Sequence, residues 1–144
     1  MADPALRPDA EPQYRRRVQR FVRFQSAVPN RNGHFPGVFA LANGLAHDGM
    51  LQPEDEAWWR AANDRANSLY DEPAEAYGPD APPGGRSWFK TEAHDILALT
   101  AGYLDLLDRY DVPWHEVRTT YPGTILYEDP VQVVALPFTH AENW

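Results

Sequence analysis

The sequence predicts a single α+β domain in the order β-α-α-β-α-β-β, with about four mostly antiparallel strands and three main helices packed on the sheet. Three observations predict it. Between Ser87 and Pro137, strand signals, a strongly periodic helix and two turn signals follow one another without interruption. Two shorter apolar helical patterns precede that unit, and a period-2 run at about Phe21 to Ala27 precedes them. The chain length of 144 residues suits one domain, placed at residues 14–138, which buries about two-thirds of its unfolded surface without staples.

Residues 1–13 are rich in Pro, Asp and Ala and have little to bury, so they read as a flexible tail. Tyr14 to Ser26 fits two periods. Tyr14, Val18, Phe21 and Val22 suit a helix face, whereas Phe21 to Ala27 alternates as a strand does. We read a short helix or extended lead-in followed by a first strand, with Phe21, Arg23 and Gln25 on one face and Val22, Phe24 and Ser26 on the other. Val28 to Gly37, with two Pro, two Gly and two Asn, is a loop.

Val38 to Ala46 reads as a short apolar helix ended around His47-Asp48-Gly49. Pro53 opens the next helix, where Glu54, Asp55 and Glu56 meet the positive end of the helix dipole. Its inner stripe is Trp58, Ala61, Ala62, Arg65 and Leu69, widened by Trp59, Ala66 and Tyr70. Residues 72–86 form an acidic, Pro- and Gly-rich mobile loop, long enough to act as a lid and long enough to be merely disordered.

Ser87 to Lys90 follows as a strand. The next helix carries Ile96, Leu99, Thr100, Tyr103, Leu104, Leu106, Leu107 and Tyr110 at three- and four-residue steps, with Thr91 as its N-cap and Val112-Pro113 as its stop. Gly102 in its middle costs about 1 kcal/mol relative to Ala, which predicts that something presses close against it. We expect Leu99, Tyr103, Leu106 and Leu107 to pack on Val117, Ile125, Val133 and Ala135. Trp114 to Thr119 alternates as a strand, and Tyr121-Pro122-Gly123-Thr124 has type II turn chemistry. Ile125 to Tyr127 and Val131 to Leu136 pair across Glu128-Asp129-Pro130. The last run is apolar on both faces except at Gln132, as in a central strand.

The chain has no cysteine, which excludes disulfides, thiolate metal sites and Cys nucleophiles. No apolar run reaches the roughly 20 residues of a membrane span, and no signal-peptide core is present, so the expectation is a cytoplasmic protein without membrane partners. A net charge of −8 argues against general nucleic-acid binding. The charge is uneven: residues 1–31 hold seven Arg against three acidic residues, a net +4, and the remainder holds six cations against eighteen acids, a net −12.

RFQSA in the first strand, PNRNG followed by GVFALANGL, PEDEAWW, SWFK and DVPWHEVRTTYPGTILYEDPVQVV resemble a family of uncharacterised small actinobacterial proteins. The resemblance covers roughly residues 20–137, and SWFK and PGTILYEDPVQVV are its most specific parts. It implies a stand-alone intracellular domain and carries no catalytic assignment.

The chemistry-bearing motifs are mostly absent. HExxH, G-x-S-x-G, GxxxxGK[ST] and GxGxxG do not occur. The five His residues lack metal-ligand spacing, so no metal and no cofactor are implied. Lys90 stands just before a helix start, where a cation and free backbone donors hold an anion, and Trp88 offers a stacking face beside it. Arg23 and Gln25 reach the same ligand if the first strand lies alongside. His94 in the first turn of the helix is the candidate for proton transfer, and Glu128 is the candidate general base. Two function classes follow. One is a binding or regulatory domain for an anionic or aromatic small ligand or a protein partner. The other is a small enzyme using Arg23, His94, Lys90 and Glu128 on an anionic or nucleotide substrate, an ADP-ribosyltransferase-like transferase by analogy alone. The first is preferred, because nucleophile, oxyanion site and base do not occur together.

Overall fold

The computed structural model describes residues 20–138. The expected tail over 1–13 and the lead-in over 14–19 lie outside them. The chain runs β1 (Phe21–Ser26), α1 (Val38–His47), α2 (Pro53–Leu69), α3 (Ala74–Tyr77), β2 (Arg86–Lys90), α4 (His94–Arg109), β3 (Trp114–Thr119), β4 (Thr124–Glu128) and β5 (Gln132–Leu136). The fold is α+β, with five strands rather than about four, in the spatial order β3-β1-β2-β5-β4 and antiparallel at every pairing.

That order makes β3 and β4 the two edges, although only residues 120–123 separate them in sequence. Five flat strands hold their edges about 19 Å apart. The step from Thr119 to Thr124 reaches about 18 Å at full extension, and it must also travel along the strands. The sheet is therefore curled, bringing its edges toward one another. A register shift between Ile125 and Tyr127 bends β4 in the way a bulge does. The expected type II turn at Tyr121-Pro122-Gly123-Thr124 is not formed: residues 120–123 cross between the two edges, and Gly123 lies well away from the roughly +80° of a type II third position. Gly123 has φ of +134°, and an added Cβ would run into the carbonyl of Leu136.

Val22, Phe24 and Phe89 face the helices, where they meet Phe39 of α1, Ala66 of α2 and Ile96 of α4. Alternation sends Trp88, Val133 and Ala135 to the other face, where all three are buried. This corrects the expected core. Tyr103 and Leu106 of α4 pack on Ala42, Trp59 and Ala62 of the neighbouring helices, not on Val133 and Ala135, and Ile125 is exposed. The inner side of α2 is likewise rotated from the expected stripe. Trp59, Ala62 and Ala66 are buried while Ala61 and Arg65 face solvent. A polar network fixes that rotation: Trp59 Nε1 and Asn63 Nδ2 donate to Asn43 Oδ1, and the buried Tyr103 hydroxyl donates to Asn63 Oδ1.

Gly102 meets the bulky neighbour its position implied. The ring of Trp58 lies where a Cβ would stand, and it packs edge-on against Tyr103 with centroids 5.1 Å apart. Thr91 is not the N-cap of α4. The helix begins at His94 after Ala93, because the Thr91 amide donates to the Arg20 carbonyl and extends the β1–β2 pairing. None of the described helices is long and apolar enough to cross a membrane.

Candidate functional site

β1 and β2 pair only through Phe21↔Lys90 and Val22↔Phe89. Beyond Val22, β1 keeps its ladder with β3 as far as Ser26, but its other edge is taken by the incoming loop. The Ser26 amide donates to the Pro36 carbonyl at 2.8 Å, and Gln25 bridges to Gly37. The two strands therefore part, and the Arg23 guanidinium occupies the fork. Its Nε donates to Gln25 Oε1 at 2.9 Å, Nη1 to the Ser87 carbonyl at 3.0 Å and Nη2 to the Phe35 carbonyl at 3.2 Å.

All three acceptors are uncharged, and no ion pair engages Arg23 among the described residues. Burial, with the charge of Arg86 adding to it and Tyr77 opposing, draws the guanidinium down to about 10. It remains cationic at neutral pH. A desolvated cation without an anion costs several kcal/mol unless hydrogen bonds or a ligand offset it.

Arg23 borders a cavity of about 190 Å³ between the sheet and the helices. The sheet contributes Phe24, Ser87, Phe89 and Gln132, α1 contributes Phe39, and Tyr70 and Tyr77 complete the wall. Phe39, Tyr70 and Phe89 cluster, with Tyr70 and Phe89 perpendicular at 5.3 Å. Burial raises the Tyr70 hydroxyl to about 12, with Glu72 and Tyr77 adding to the rise. Burial also raises Tyr77, assisted by Glu72 and opposed by Arg23 and by a hydrogen bond with Ser87. Ser87 Oγ donates to Gln132 Oε1 at 2.8 Å, and Gln132 Nε2 donates to the Asp71 carbonyl at 2.6 Å. The Ser87 carbonyl is thus held by Arg23 while its hydroxyl is held by the Gln132–Asp71 chain.

The structure divides the residues singled out from sequence into separate places. Arg23 and Gln25 are joined by a hydrogen bond. Trp88 is buried on the face of β2 opposite to Ser87 and Phe89, and does not line the cavity. Lys90 forms an ion pair with Glu128 at 2.7 Å. His94 opens α4 beside a second, more open hollow lined by Leu69, Glu92, Asp95 and Val131. The expected convergence of Arg23, Trp88 and Lys90 on one concave surface is therefore replaced by Arg23 alone at the cavity, because the ladder opens after Val22.

Phe39, Tyr70, Tyr77 and Ser87 were not anticipated as site residues. Gln132 had one visible signal, as the single polar position in an apolar strand. Among the described residues no group of three His, Asp or Glu side chains is placed to hold a metal ion. Comparison with protein-family models, curated proteins and solved structures finds no match for the chain.

Proposed function

We propose that this chain is an intracellular binding domain for a small anion, with Arg23 as the anion-holding group. The observation that carries the reading is the half-buried Arg23 guanidinium, bonded among the described residues only to neutral oxygens at the mouth of the β1–β2 fork and bordering an aromatic-walled cavity. A cation placed there gains from an incoming anion what it loses by leaving water. Binding is favoured over transferase chemistry because His94 and Glu128 stand apart from the cavity, with Glu128 engaged by Lys90. The SWFK and PGTILYEDPVQVV segments support placing the chain with the small actinobacterial proteins it resembles.

Thermal melts of the wild-type chain and of Arg23→Gln, against a panel of small carboxylates and phosphates, test the reading. An anion should raise the Tm of the wild type and leave that of the variant unchanged. Equal shifts in both proteins would place the anion elsewhere.

A further inference from the structure

Resting on that reading of the cavity, we propose that its ligand is a single-ring aromatic monocarboxylate of about the size of benzoate. Volume, wall chemistry and charge select this class. At about 190 Å³ the cavity exceeds the roughly 150 Å³ of an apolar cavity known to take up benzene. That leaves room within its walls for one ring and a carboxylate.

The wall suits a flat ring. Phe39 stands edge-on to Phe89 at 6.0 Å, Tyr70 stands edge-on to Phe89 at 5.3 Å, and Phe39 and Tyr70 lie tilted at 6.1 Å. An aromatic guest adds to such a cluster by the same edge-to-face contacts. The guanidinium of Arg23 stands on a wall that also carries the rings of Phe24, Phe39, Tyr70 and Phe89, so a ligand with a flat ring and a charge at one end suits it.

The charge is single. Arg23 is the one cation among the lining residues, with Arg86 outside the lining but near enough for its charge to act on Arg23, whereas Asp71 and Glu72 line the same cavity and are exposed. Three of the five guanidinium N–H groups are used on Gln25, Ser87 and Phe35, which leaves two. Two N–H donors match a planar carboxylate. The second charge of a phosphate monoester would instead meet these two carboxylates.

Isothermal titration of the full chain with benzoate, acetate, benzyl alcohol and phenyl phosphate tests the proposal. Benzoate should bind at least about tenfold more tightly than acetate, which lacks the ring, and than benzyl alcohol, which lacks the charge. Phenyl phosphate should bind more weakly than benzoate and gain affinity in Glu72→Gln. Arg23→Gln should weaken benzoate about tenfold to a hundredfold and leave benzyl alcohol unchanged. Because Arg23 also ties the fork together, Ala40→Trp provides a second variant. It fills the cavity from an exposed position on α1, and it should abolish benzoate binding while the circular dichroism spectrum is retained. Benzoate no tighter than acetate, with acetate binding lost in Arg23→Gln, would overturn the ring-carboxylate assignment and leave the anion site standing. Failure of all three anions to bind, or benzoate binding that survives both variants, would overturn both.

Discussion

The Arg23 guanidinium donates to the Ser87 carbonyl across the β1–β2 fork, standing where a backbone amide of β1 would stand in an unbroken ladder. One side chain thus holds together three segments: β1, β2 and the loop carrying Phe35. Three of its five N–H groups are used in this way, and the proposed anion would take the other two.

Arg23→Lys should lower stability by about 1–3 kcal/mol in urea denaturation, since an ammonium on a flexible stem does not bridge three splayed acceptors. An unchanged midpoint would mean that the fork is held by the backbone alone.

Anion affinity should be level from pH 6 to pH 9. Burial lowers Arg23 only to about 10, so the cationic form is present throughout that range and is lost only as pH rises beyond it. A site built on an imidazolium would instead lose affinity as pH rises through the ordinary histidine value of about 6.5. Titration at several pH values separates the two.

Tyr77, Asp71 and Glu72 border the cavity, and Ala76 is buried beneath the same segment. Hydrogen exchange over residues 72–85 should therefore slow when benzoate is bound, with α4 unchanged. Equal exchange with and without ligand would remove any covering role for this segment.

Gly102→Ala should destabilise the protein by about 1–3 kcal/mol even though alanine is the better helix former, because the new methyl group meets the Trp58 ring. Pairing it with Trp58→Leu should recover part of the loss. A stabilised single variant would show that the indole moves aside freely.

Asp129 caps the β4–β5 turn, accepting from the Val131 amide at 2.8 Å and the Gln132 amide at 2.9 Å. Partial burial works to raise its carboxyl, but these amides and the Tyr127 hydroxyl outweigh it and hold it below the ordinary 3.8. The stability it adds is present above that value and is lost as pH falls below it. Asp129→Asn should flatten this acid-side loss, as read from urea midpoints between pH 5 and pH 2.

Sequence by itself determined the local elements. The spacing of Ile96, Thr100, Tyr103 and Leu107 settles α4, Pro53 and its three acidic followers settle the start of α2, and Glu128-Asp129-Pro130 settles the β4–β5 turn, because each is governed by neighbours a few residues away. The lone Gln132 and the mid-helix Gly102 were visible as departures from pattern, although neither names its partner. Tertiary structure alone decided that β3 and β4 form opposite edges of a curled sheet, that α4 packs on α1 and α2 rather than on Val133 and Ala135, and that the candidate site holds Arg23 without Trp88 or Lys90. The physical reason lies in one competition. After Val22 the edge of β1 pairs with the Pro36–Gly37 loop in place of β2, and strand periodicity carries no information on which of two distant segments takes an edge.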